Sequence, residues 1–176
     1  MRRSRRVLVA LGLCFALLAT ACGSDSPSSQ SADSASGSCV VTQIPGADAD
    51  AEIDRDALTA DQAVMVVSVN MSEYSYDCDM PVIPAGAVVA FQFTNDGQLP
   101  HEAAVGTLDD QLEAEAATVE LRAVEHDHSV PSVIVQPGST GQLLVYYEEP
   151  TSVIIGCHIS GHWNQGMRTD LEVGTA

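Results

Sequence analysis

Cys157, His162 and Met167 stand in one short segment, Cys157-His158-Ile159-Ser160-Gly161-His162-Trp163-Asn164-Gln165-Gly166-Met167, with four residues between successive donors. The segment leaves one apolar run, Ser152 to Cys157, and enters another, Arg168 to Val173. A loop between two strand ends can turn a thiolate, an imidazole and a thioether toward one point. Those are soft or borderline ligands, and the set suits copper. A second imidazole has to come from elsewhere in the chain, and Asn95-Asp96-Gly97-Gln98-Leu99-Pro100-His101 supplies one at another strand boundary. Taken singly, each residue has a plainer use: a buried Cys is a small hydrophobe and a Met fills core. Their joint spacing on strand ends makes His101, Cys157, His162 and Met167 the candidate metal ligands.

The surrounding pattern is that of strands. Gln62 to Asn70, Ala87 to Thr94, His101 to Gly106, Gly141 to Tyr147, Ser152 to Cys157 and Arg168 to Val173 are rich in Val, Ile, Phe and Tyr. Val89, Phe91 and Phe93 recur every second residue and so share one strand face. Pro84-Ala85-Gly86 and Gln136-Pro137-Gly138 read as turns ahead of strands. Asp109 to Glu125 is different, being rich in Ala, Glu and Leu, with acidic residues at its start. Leu108, Leu112, Val119 and Leu121 approximate an apolar helical stripe. The expectation is an all-β, antiparallel β-sandwich carrying one short helical insertion.

Asn-x-Gly-x-x-Pro-His followed by Cys-x4-His-x4-Met resembles the copper-binding signature of the plastocyanin/azurin superfamily, the cupredoxins. The ligand-loop spacing is similar to that of rusticyanins and auracyanins. The resemblance runs from about Val82 to Val173. It implies a Greek-key sandwich with one type 1 copper ion, His101, Cys157 and His162 as trigonal ligands and Met167 as the weak axial one. It also implies a carrier of single electrons, with the outer edge of His162 as the electron port; Trp163 and Ile159 then belong either to an apolar patch around it or to ordinary loop packing. Three departures stand out: Glu102 where many relatives carry Asn, His158 directly after Cys157, and a long stretch between His101 and Cys157.

The chain of 176 residues has room for one domain. Arg2, Arg3, Arg5 and Arg6 precede an apolar run from Val7 to Leu18, which has the proportions of a signal peptide. Leu18-Ala19-Thr20-Ala21-Cys22 resembles a bacterial lipobox, and Ser4-Arg5-Arg6-Val7-Leu8 the core of a twin-arginine signal. Residues from Gly23 to Ser38 are mostly Ser, Asp, Ala and Gly, too polar to offset the entropy of ordering. The expected order is a lipoprotein-type signal peptide over 1–21, a flexible tether over 22–38 with Cys22 lipidated, and the domain over 39–176. Cys39 and Cys78 are the candidate disulfide of an oxidising compartment, either periplasmic or at the outer face of the membrane.

Processing at Cys22 leaves three arginines against 24 carboxylates, a formal charge of −21, and the chain has no lysine. Such a surface excludes nucleic acid as a partner. It suits basic redox proteins, cytochromes or oxidases, met as a monomer from a membrane anchor, and it equally suits high salt or reflects genomic composition alone. An enzyme is not expected, since oxidase chemistry needs a second, open copper site with further histidines. Of the five histidines, His126, His128 and His158 remain. In an extended segment His126 and His128 would share a side, which a solvated loop explains as well. The alternative to electron carriage is a lipoprotein that captures or delivers copper.

Overall fold

The computed structural model describes residues 39–47, 53–121, 130–159 and 161–175. The predicted signal peptide, Cys22, the tether, His126 and His128 lie outside them.

Two five-stranded sheets face each other. In the first, β1 (Val40–Gln43) and β3 (Ser75–Asp77) both pair antiparallel with β2 (Ala63–Ser72). β2 runs parallel to β5 (Val88–Asn95), and β5 antiparallel to β8 (Thr140–Tyr146). In the second, the order is β4 (Ile83–Pro84), β10 (Arg168–Gly174), β9 (Thr151–Gly156), β6 (His101–Gly106), β7 (Ser132–Val135). Each neighbouring pair there is antiparallel except β4 with β10. The fold is the expected all-β sandwich with one helix, but its sheets are mixed and not antiparallel throughout. After β3 the chain crosses to the other sheet for β4 and returns as β5, so β5 runs alongside β2 in the same direction.

Period-2 alternation builds the core. Met65, Val67, Val69 and Met71 of β2 point inward, as do Val89, Phe91 and Phe93 of β5. From the facing sheet come Ala103, Val105, Val153, Ile155, Leu171 and Val173. The opposite face of β5, through Val88 and Ala90, is covered by Ile53, Leu58 and Leu144.

The single α-helix among the described residues, α1 (Leu108–Leu121), lies on β6 and β9. Thr107 and Asp110 cap it reciprocally: the Asp110 carboxylate accepts the Thr107 N–H at 2.8 Å, and Thr107 Oγ1 accepts the Asp110 N–H at 3.3 Å. The first half of the predicted apolar stripe does not face inward. Leu108 and Leu112 are exposed, whereas Gln111 and Ala114 are fully buried. The helix docks by hydrogen bonds and small-residue contact, because Gln111 Nε2 donates to the carbonyls of Ala104 (3.0 Å) and Ile154 (2.8 Å). A hydrophobicity pattern does not register that kind of docking.

Candidate metal centre

His101 is the first residue of β6, held opposite Val135 of β7. The loop that delivers it is organised by Asn95, which is fully buried. Asn95 Nδ2 donates to the carbonyls of Leu99 and Val135, each at 2.8 Å, while Oδ1 accepts the Gly97 N–H at 2.9 Å. The Glu73 carboxylate, from the turn between β2 and β3, accepts the N–H groups of Gln98 and of Leu99 (3.1 Å). The Gln98 N–H chiefly holds that carboxyl below the usual range. A Cβ on Gly97 would come within 2.7 Å of Glu73 Oε1, so a side chain there would push that carboxylate off the Gln98 and Leu99 N–H groups.

Cys157 follows β9 and Met167 precedes β10, and the Cys157 N–H donates to the Met167 carbonyl at 3.1 Å, tying the loop ends together. Inside the loop the His162 N–H donates to Ile159 O (2.9 Å) and the Met167 N–H to His162 O (3.1 Å). Gly166, at φ +92°, makes the left-handed turn that closes the short helical bend over Trp163–Gln165.

These elements bring three of the predicted ligands together. The donor atoms of His101, Cys157 and His162 all lie within 4.8 Å of one another. His101 Nδ1 is 3.3 Å from His162 Nδ1, which is 3.4 Å from Cys157 Sγ. His101, Cys157 and Met167 are fully buried and His162 is 6% exposed. Met167 belongs to the same core cluster as Cys157. Burial lowers the affinity of both imidazoles for a proton and pushes the Cys157 thiol up to about 12, against the pull of the N–H groups of Glu102 and Ile159. Two neutral imidazoles and a thiol, turned inward on one another, are a poor hydrogen-bonding set but a good metal-binding one. Donors about 2.0–2.3 Å from a shared ion sit at such separations, so the residues fit copper.

Around these donors lies a set of contacts that nothing local in the sequence announces. The Glu102 N–H points at Cys157 Sγ from 3.3 Å, and the Tyr76 hydroxyl donates to the Glu102 carbonyl. Glu102 itself is buried, and its carboxylate accepts the His158 N–H at 3.2 Å. Glu102 thus braces the two ligand loops against each other. His158 is fully buried, with both ring nitrogens facing acceptor oxygens of Gln111 and Glu115. Trp163 is 7% exposed and stacks on His158, so it belongs to the interior and not to a surface patch. Tyr74 instead lies at the rim, its ring meeting that of His162 edge-on at 5.2 Å. Tyr74 takes φ +66°, a left-handed conformation rare for an aromatic residue and invisible in the sequence.

The second sequence expectation among the cysteines is also met: Cys39 and Cys78 are disulfide-bonded, with Cα atoms 4.7 Å apart, fastening the start of β1 to the residue after β3.

The fold is that of the cupredoxins, and the inward-facing donors of His101, Cys157 and His162 form a candidate site for one copper ion. The architecture matches auracyanin from the photosynthetic bacterium Roseiflexus castenholzii at a TM-score of 0.53 and 15% identity, over 62% of this chain and 95% of that one. Auracyanin B matches at 0.53 and 18% over 62% and 88% of the two chains. An azurin (Az-iso2) from Methylomonas sp. strain J matches at 0.52 and 14%, over 62% and 97%. No family model matches the sequence. Among curated proteins, the copper-resistant cuproprotein CopI of Vibrio cholerae is 30% identical over 114 residues, which is 65% of this chain and 66% of CopI. The chain therefore spans just under two thirds of that relative's length.

Proposed function

We propose that the protein is an electron carrier, a type 1 copper protein that passes single electrons between extracytoplasmic redox partners. The observation that carries this reading is the buried, pre-arranged donor set, with the Glu102 N–H directed at the Cys157 sulfur and the loop ends tied together by Cys157 and Met167. Copper bound there would supply Cu(I)/Cu(II) chemistry. His101, Cys157 and His162 would hold it, with the Met167 thioether as the weak fourth ligand. The protein's part is to keep these groups in one arrangement in both oxidation states, so that little moves when an electron arrives. Burial excludes water and competing ligands, while the slightly exposed edge of His162 is the route outward.

The setting follows the sequence. The Cys39–Cys78 disulfide belongs to an oxidising compartment, and the signal and lipobox-like Cys22 would tether the domain to the membrane. The acidic surface favours basic redox partners. The protein is a carrier and not a catalyst.

A second reading, copper capture or delivery in copper defence, is favoured by the likeness to CopI. Voltammetry of the copper-loaded protein separates the two. A carrier gives a reversible one-electron wave and rapid exchange with a redox protein. Copper that binds tightly, shows no reversible wave and passes to a chelating acceptor would instead establish capture.

A further inference from the structure

We propose that helix α1 is a positioning element of the metal centre, acting on Cys157 through His158; this rests on the copper reading above. His158 follows Cys157 directly, and both of its ring nitrogens face oxygens of α1. Nε2 lies 2.7 Å from Gln111 Oε1 and Nδ1 3.1 Å from Glu115 Oε2. Gln111 and Glu115 are one helical turn apart and so present to the same side. Gln111 has no freedom to turn away, because its Nε2 donates to Ala104 of β6 and Ile154 of β9, the two strands whose ends carry His101 and Cys157. Glu115 is steadied by Asn164, whose Nδ2 donates to Oε1 at 3.3 Å.

The remaining sides of His158 are occupied as well. Trp163 stacks on the ring at 5.1 Å between centroids, and the peptide N–H bonds to the Glu102 carboxylate. Glu102 in turn directs its own N–H at Cys157 Sγ. The peptide plane between Cys157 and His158 is therefore held from the ring side by α1 and from the backbone side by Glu102. A helix needed only for packing would bury a leucine at its centre. α1 instead exposes Leu108 and Leu112 and commits Gln111 and Glu115 to the one ring beside the sulfur ligand. What α1 fixes is the direction in which Cys157 presents its sulfur.

The test is Cu(II) titration of the full protein with Gln111→Leu and Glu115→Ala, each also made in a His158→Gln background. Both single variants are expected to weaken Cu(II) binding about 10–100-fold and to shift the thiolate-to-copper absorption band. In the His158→Gln background neither should add more than about twofold, as coupled groups behave. Leu112→Ala, on the exposed face, should leave both readouts alone. In the metal-free protein, amide exchange at His158 should quicken in both single variants. Glu115 is partly exposed, so Glu115→Ala will fold and decides the matter if Gln111→Leu does not. Binding within about twofold of the parent in a folded variant, or an undiminished effect without His158, overturns the proposal. A parent protein lacking any Cys157-dependent band would instead overturn the copper reading, and exchange at the His158 amide would still decide the clamp.

Discussion

The backbone N–H of Glu102 points at the sulfur of Cys157 from 3.3 Å, while the Glu102 carboxylate takes the N–H of the next residue, His158. One residue thus holds two successive residues at the start of the ligand loop, from a strand start on which His101 is the preceding residue. The backbone bond survives most substitutions, but the carboxylate bond does not. Glu102→Ala would leave a buried N–H short of an acceptor, a loss of about 1–3 kcal/mol. Glu102→Gln keeps an acceptor and should recover most of it. Thermal unfolding of the metal-free variants measures the difference; equal melting temperatures for Ala and Gln would show that the carboxylate is not a brace.

Metal uptake should release a proton. Burial holds the Cys157 thiol protonated up to about 12, and it lowers the proton affinity of His101 and His162, so at pH 7.5 the free site is a neutral thiol with two neutral rings. A thiolate ligand must shed its proton. Below the thiol pKa, apparent Cu(II) affinity should therefore rise about tenfold per pH unit. Calorimetric titration in buffers of different ionisation enthalpy should return one proton per copper at pH 7.5, and zero protons would contradict the assigned state.

Tyr74 covers the edge of His162 from a left-handed backbone conformation. That conformation costs a non-glycine residue roughly 1–2 kcal/mol, and Asn tolerates it better. Tyr74→Asn should keep or raise the melting temperature of the metal-free protein while opening His162. Copper removal by an external chelator should then be several-fold faster. A destabilised variant with unchanged copper release would assign Tyr74 to folding alone.

The Cys39–Cys78 bridge closes a loop with a sequence separation of 39. Chain-entropy arguments give a loop of this size about 3–4 kcal/mol. Paired Cys39→Ser and Cys78→Ser replacement should lower stability by that order in denaturant unfolding. A change below about 1 kcal/mol would mean that β1 is held by its pairing to β2.

The ligand loop was legible because all its requirements are local: a strand end, four-residue spacings, and Gly166 at a left-handed turn. His101 was legible for a related reason, since Asn95 and Gly97 organise a loop only a few residues long. The parts that escaped notice depend on contacts across the fold. Glu73 and Tyr74 reach the histidines from a hairpin far away in sequence, and nothing in Ser72-Glu73-Tyr74-Ser75 announces it. The helix is legible in Asp109 to Glu125, but its docking through Gln111 is not, because Gln111 is buried by virtue of two strand carbonyls that no periodicity reports. β7 was overlooked because Ser132–Val135 is short and half exposed, and its main work is to hold His101 in register.

The central claim is that copper is held through the Cys157 thiolate, and the visible absorption spectrum tests it most directly. Addition of one equivalent of Cu(II) to the purified protein should give an intense thiolate-to-copper band toward the red end of the visible, lost in Cys157→Ser. A colourless one-to-one complex, or one whose spectrum survives Cys157→Ser, would contradict the account.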